Sequence, residues 1–241
     1  MEELESLVKK NRLLSAIPKT ELQHLLPAME RIGLFPRQVL HQPGVPIEFV
    51  YFPLDAVLSM IASTREGETV EVAALGNEGV TGVIAILSGP KMKEQQGALV
   101  KVSTLIPGSV IRMKADVFEA AIERSIEVNR CVLRYLNVLF TQLVLSASCN
   151  RLHSLEQRCA RWLLACMDRS QYEEVAVTQE LLAEMLGVRR QSVDHVLDEL
   201  ESKRMIECLR GSIKINEPVR LASVTCECYH LAKERLDNFL A

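Results

Sequence analysis

The chain has 241 residues, 48% of them hydrophobic and 24% charged, a balance that suits one large or two modest folded domains and excludes low-complexity disorder. Its formal net charge of −3 gives no global attraction to nucleic acid, so any contact with DNA must come from a local patch. No apolar run approaches the roughly 18–20 residues that span a bilayer, and the charged, helical start MEELESLVKKN is unlike a secretory signal.

Residues Glu2 to Glu30 carry helical periodicity, with Leu4, Leu7 and Val8, then Leu22, Leu25, Leu26 and Met29, separated by Pro18. From Ile32 to Met113 the pattern becomes strand-like. Runs at Phe49 to Phe52, Val57 to Ala62, Thr69 to Ala73, Ala98 to Val102 and Ser109 to Met113 alternate with punctuation such as Pro43-Gly44, Gly76, Gly89-Pro90 and Pro107-Gly108. Short strands at this spacing predict an all-β sandwich or roll.

Proline and glycine are absent from Ala115 to Met167, and a strip at 4-3-4-3 spacing runs through Val132, Leu136, Leu139, Leu143 and Ser146 to Asn150. A helix over 126–150 would be about 37 Å long at 1.5 Å per residue. Ile126, Leu133, Val138, Phe140, Val144 and Leu145 make it apolar on other faces too, so it needs partners on two sides. Its own β domain and a second copy of itself would serve, which predicts a coiled-coil-like homodimer through the Val132 to Ser146 strip.

A further helix follows over Leu155 to Met167, and then the segment from Thr178 to Leu200 reads as a helix-turn-helix. Leu182, Leu186, Val188, Val193, Val196 and Leu197 form one apolar face on either side of Gly187. Gly187 sits where the first helix must stop, because glycine takes a positive φ without steric cost. Small Ala183 lets the second helix cross close by. The turn delivers Arg189, Arg190, Gln191 and Ser192 to the start of the second helix, where a recognition helix presents donors to base edges and phosphates. Beyond it, Met205 to Leu209 and Ile213 to Ile215 with a turn at Gly211 read as a wing, and Val219 to Leu240 as a terminal helix.

The order of β-roll, long helix and winged helix-turn-helix resembles the Crp–Fnr family of bacterial transcription regulators over nearly the whole chain. The resemblance is strongest from Glu156 to Ile215. It is looser at Leu13-Leu14 to Met29, Gln42-Pro43-Gly44, Val50-Tyr51-Phe52 and Gly76 to Gly82. It implies an α+β fold with a cyclic-nucleotide-binding-like roll (jelly roll) over 1–125, a dimerisation helix over 126–150 and a winged helix-turn-helix domain over 151–241. It further implies a cytoplasmic homodimer on a near-palindromic double-stranded DNA operator, with RNA polymerase as a partner and no membrane. Matched to the family's motif, Thr178 and neighbouring Gln179 meet a phosphate at the start of the first helix. Arg190 and Gln191 face the major groove, with Ser192 beside them and His195 one turn on, while Arg189 and Lys214 hold phosphates.

The chain departs from the family where a cyclic nucleotide would sit. Gly82 is followed by Val83 rather than Glu, and the later position reads Gln96-Gly97-Ala98 without arginine. These five residues mark an effector pocket, but a cyclic phosphate needs a cation or several convergent donors, so cyclic AMP is not the expected ligand. The seven cysteines begin at Cys131, which argues against the family's N-terminal iron–sulfur sensor. Most lie in apolar helical contexts and read as buried free thiols in a reducing compartment. His41 could serve as a haem ligand but reads as a solvated loop side chain. Cys226-x-Cys228 with His230 lacks a fourth ligand, and residues two apart in a helix face different sides, so structural thiols are preferred to a metal site. Neither a serine elbow nor a phosphate-cradling loop ending in Lys-Ser/Thr is present, so no catalytic residue is expected. The alternative reading is an effector-binding or protein-docking module whose helix-turn-helix is a packing unit. Arg189-Arg190-Gln191 and the basic wing favour the regulator.

Overall fold

In the computed structural model, which describes residues 2–87, 97–170 and 172–238, the β-rich part of the chain closes into two antiparallel sheets. One holds β1 (Glu30–Leu34), β7 (Gly108–Lys114) and β3 (Phe49–Pro53), in that order. The other holds β2 (Val39–Pro43), β6 (Gly97–Ile106), β4 (Val57–Ser63) and β5 (Thr69–Leu75). Val50, Phe52, Leu58, Val110 and Ile111 are wholly buried, each contributing about 1.5–3 kcal/mol by leaving water. The helices α1 (Glu2–Val8), α2 (Arg12–Ala16) and α3 (Lys19–Leu25) precede this roll. Buried Asn11 joins them to it. Its Oδ1 accepts from Leu14 N at 3.0 Å, and its Nδ2 donates to the Pro53 and Gly79 carbonyls at 2.9 Å each.

The strand-like reading from Ile32 to Met113 is corrected at α4 (Val83–Leu87). Gly82, at φ 78°, turns the chain so that its carbonyl accepts from Ala85 and Ile86 N–H, and an apolar run that resembles a strand becomes a helical turn.

After α5 (Ala115–Arg124), Ser125 caps α6 (Ile126–Leu152) through Val128 N. The wholly buried Tyr135 of α6 donates to the Val80 carbonyl at 3.0 Å. It fills the space above Gly79, where a Cβ would lie 1.9 Å from the ring. By length and composition α6 could cross a membrane, with a mean hydropathy of 1.3 over 18 residues, which corrects the sequence expectation. Its charged residues, Glu127, Arg130, Arg134 and Arg151, lie outside the stretch from Tyr135 to Asn150, which carries none. Val128, Val132, Tyr135, Val138 and Leu139 join the core of the roll.

The remainder is built from α7 (Leu155–Ser170), β8 (Glu174–Val175), α8 (Gln179–Leu186), α9 (Arg190–Ser202), β9 (Ile206–Leu209), β10 (Ser212–Ile215), α10 (Pro218–Ser223) and α11 (Glu227–Asp237). The single terminal helix expected over Val219 to Leu240 is two helices, and Leu240 lies outside the described residues. Thr225 Oγ1 donates to the Ala222 carbonyl at 2.8 Å, which ends one helix, and Cys226 is extended at the N-cap position of the next, without a side-chain capping bond.

The roll and this C-terminal part share one core, in which Val57, Ile61, Leu105 and Ile106 meet Trp162, Leu163, Met185 and Leu186. Polar groups cross the same seam. Buried Glu71 accepts from Ser59 Oγ at 2.5 Å and from Trp162 Nε1 at 2.8 Å, and its burial pushes the carboxyl pKa up. Arg169 pairs with Glu78 at 2.9 Å, with both side chains at most 9% exposed. Glu78 also accepts from Gly76 N at 3.0 Å.

Candidate nucleic-acid interface

Thr178, extended at φ −86°, caps α8 by accepting from Leu181 N at 3.1 Å. Gly187 ends α8 in the left-handed region at φ 63° and ψ 41°, its N–H donating to Ala183 and Glu184 carbonyls. Val188 N–H then returns to Ala183 O at 3.0 Å, closing the turn. Arg189 occupies the N-cap of α9 with no side-chain capping bond, which leaves its guanidinium to solvent. Val193, Val196, Leu197 and Leu200 bury the opposite face of α9.

This geometry brings Arg189, Arg190, Gln191, Ser192 and His195 together on the exposed first turns of α9. Arg190 Nε lies 3.7 Å from Asp194 Oδ2, and His195 Nε2 lies 3.3 Å from Glu199 Oε1. Both pairs are solvent-exposed and worth well under about 1 kcal/mol, so a phosphate or a base edge can displace the carboxylate. Thr178, Gln179 and Arg190 line one side of a groove, and the wing from Cys208 to Ile213 lines the other.

Lys214 stands apart from this set. It sits half-buried on the central strand β10, opposite Glu174 of β8 and Glu207 of β9. Both of its cross-strand neighbours are thus acidic, and the Glu174 carboxylate accepts from Ser212 Oγ at 2.5 Å. The exposed cation beside the turn at Gly211 (φ 88°) is Arg210, which lines the groove. Its adjacency to the turn glycine is the signal that sequence reasoning could have used.

Where the sequence predicts an effector pocket the roll holds a cavity of about 140 Å³, lined among the described residues by apolar side chains with His41 and Thr81 as polar exceptions. Gly82, Val83 and Ala98 line it; Gln96 lies outside the described residues. Gly97 adjoins it at φ 53°, where a Cβ would meet the Val45 carbonyl at 2.3 Å, and the Ala98 N–H is already given to Val45 O at 3.0 Å. His41 is not a solvated loop residue. It lies on β2, 5% exposed, with Nε2 2.8 Å from Thr81 Oγ1. The β-strand that places it, Val39–Pro43, ends in Gln42-Pro43 with Gly44 next, so its short apolar start reads as part of a loop.

Leu139 and Leu143 also line this cavity. Of the strip expected to pair two chains, Val132, Leu139 and Ser146 are buried within the chain's own core and Leu136 and Leu143 are half-buried against it. The face of α6 left exposed is another one, carrying Ile126, Leu133, Phe140 and Val144 at 62%, 56%, 65% and 47% exposure.

The sequence matches the Crp-like helix-turn-helix domain over residues 157–224. Among characterised relatives, the global nitrogen regulator of Nostoc sp. (strain PCC 7120) is 26% identical over 190 residues, covering 75% of this chain and 82% of that protein. The global nitrogen regulator of Synechocystis sp. is 23% identical over 223 residues, covering 88% and 96%. Among solved structures, FixK2 from Bradyrhizobium japonicum superposes with a TM-score of 0.67 at 14% identity, covering 82% of this chain and 98% of its own. A transcriptional regulator of the CRP family from Thermus thermophilus gives a TM-score of 0.65 at 15% identity, covering 81% and 95%.

Burial lowers the His41 pKa from 6.5 to about 4, so the folded chain holds it neutral. In that interval the unfolded chain binds the proton and the folded chain does not. The stability this group supplies is complete above about pH 6.5 and drains away as pH falls toward 4. Between pH 7 and pH 4.5 the loss from this group is on the order of 2–3 kcal/mol. Urea unfolding of wild type and His41→Leu at both pH values measures it. Wild type should lose about that much more stability than the variant, and equal losses would contradict a neutral, buried His41.

Proposed function

The chain belongs to the Crp–Fnr family of DNA-binding transcription regulators, and from that premise we propose that it acts in the cytoplasm as a homodimer whose two α9 helices read the half-sites of a near-palindromic operator. In this reading residues 1–125 form the effector-type roll, 126–150 the dimerisation helix and 151–241 the DNA-reading domain, with RNA polymerase bound nearby as the partner it acts on. The observation that carries it is the cluster of exposed donors on the first turns of α9, facing Arg210 across the groove. Arg190 and Gln191 read bases, as guanidinium suits guanine and carboxamide suits adenine. Thr178, Gln179, Arg189, Ser192, His195 and Arg210 hold backbone or flanking positions. Lys214, hemmed by two glutamates, adds less.

The dimer seam in this proposal is the exposed stripe of α6 rather than the Val132 to Ser146 strip, since a side chain spent on its own roll cannot also face a second chain. Ile126, Leu133 and Phe140 recur at intervals of seven and Val144 follows four residues later, which keeps them on one side of the helix. The cavity argues against cyclic AMP, because among the described residues its lining offers imidazole and hydroxyl but no cation for a phosphate. The absence of cysteine before Cys131 argues likewise against an N-terminal iron–sulfur cluster. An uncharged, largely apolar effector fits the cavity better.

Two outcomes follow. Arg190→Ala should cost about 1–3 kcal/mol per half-site and relax preference at one base position, whereas Arg189→Ala should weaken all sequences similarly and flatten the salt dependence. Selection from random DNA followed by titration at two salt concentrations distinguishes them. Wild-type affinity and preference in Arg190→Ala would remove α9 from base reading. Placing glutamates at both Leu133 and Phe140 should bury unpaired carboxylates in the seam at a cost of several kcal/mol, and sedimentation should show monomer. A double variant that stays dimeric would move the interface elsewhere.

A further inference from the structure

The structure gathers four metal-ligating side chains at one point that DNA reading does not use. Cys149 and His153 come from the end of α6 and its C-cap, and Cys226 and Cys228 come from the start of α11. Their ligand atoms all lie within 4.8 Å of one another. Cys149 Sγ is 3.5 Å from Cys226 Sγ, and Cys228 Sγ is 3.7 Å from His153 Nδ1. The three cysteines are at most 3% exposed.

We propose that Cys149, His153, Cys226 and Cys228 form a tetrahedral zinc(II) site that clips the end of the long helix to the start of the terminal helix. Zinc takes thiolate sulfur at about 2.3 Å and imidazole nitrogen at about 2.0–2.1 Å, with three cysteines and one histidine among its usual structural sets. Tetrahedral ligands at those lengths are about 3.5–3.8 Å apart, which is the spacing of the two contacts above. Two sequence-level objections disappear in the fold. Cys226 is extended and precedes α11, so the rule that residues two apart on a helix diverge does not separate it from Cys228. The fourth ligand is His153 rather than His230, which is exposed.

The surroundings are those of a metal centre. His153 turns Nδ1 to the sulfurs and Nε2 to Glu227, 3.3 Å from Oε2, the carboxylate–histidine arrangement that fixes a ligating imidazole. Three thiolates around a divalent cation leave a net charge of −1. The Arg161 guanidinium lies against Cys149, and its buried Nε has no hydrogen-bond partner. It supplies the compensating positive charge.

The test uses the full-length chain, reduced, stripped with chelator and reloaded with zinc or cobalt(II). One zinc per chain is expected, with X-ray absorption giving three sulfur and one nitrogen neighbours and cobalt showing a tetrahedral thiolate spectrum. Cys149→Ser, Cys226→Ser and Cys228→Ser should each lose the metal, while Cys208→Ser and His230→Ala should keep it. Because buried cysteine variants can fail to fold, Glu227→Gln at an exposed side chain provides a separate arm, expected to weaken zinc affinity by about 10–100-fold. Absence of stoichiometric zinc in the reduced wild type would overturn the proposal. So would a neighbour count other than three sulfur and one nitrogen, or unchanged affinity in Glu227→Gln. A Cys149–Cys226 disulfide in protein that takes up no zinc when reduced would overturn it in favour of a thiol pair.

Discussion

The rest of the structure depends on one helix having more apolar surface than its own domain can cover. On one side α6 is fastened by Tyr135, whose ring occupies the space above Gly79 and whose hydroxyl is satisfied by Val80. A methyl group at position 79 has nowhere to go, so glycine there and tyrosine on the helix specify each other. On the other side Leu133, Phe140 and Val144 remain in water. Hydrophobic burial is non-directional and scales with area, so the exposed stripe favours a partner helix. A second copy pairing along that stripe presents two identical DNA-reading surfaces related by a twofold axis.

The same helix lies between the cavity and the DNA-reading part. Leu139 and Leu143 line the cavity, and a few turns later the helix ends at His153. Alongside, the roll meets the C-terminal part through Glu78–Arg169 and Glu71–Trp162 in a shared core. A buried ion pair is weak evidence of net stability, since desolvation offsets much of the attraction, yet removing one partner strands a charge. Such a seam holds one relative placement and resists intermediate ones. A molecule filling the cavity would press on Leu139 and Leu143, and the cluster of Cys149, His153, Cys226 and Cys228 sits at the far end of the same rod.

Local chemistry was legible in the sequence; long-range burial was not. Gly187 announced its left-handed turn and the arginines their exposed helix start, because both follow from residues within one or two turns. The β-branched runs announced β3 to β7 for the same reason. The short helix at Val83–Leu87 was hidden because an apolar pentad reads equally well as a strand until Gly82 turns the chain. The break between α10 and α11 rests on a Thr225 side-chain bond that periodicity does not register. His41 was misread because its burial is decided by Thr81, forty residues on. The strip from Val132 to Ser146 is apolar as read, and the chain's own core takes up Val132, Leu139 and Ser146. A heptad count shows that a face is buried and leaves open what buries it. The same limit hid His153 from Cys226 and Cys228, which only the fold brings beside it.

The most direct measurement of the central claim, that the long helix pairs two chains so that both recognition helices read one operator, is a hydroxyl-radical footprint on the DNA selected from a random pool. The account predicts two protected blocks related by a dyad, their centres about 34–36 Å apart or a whole multiple of one helical turn. A single protected block without dyad symmetry, at protein concentrations that saturate the site, would contradict it.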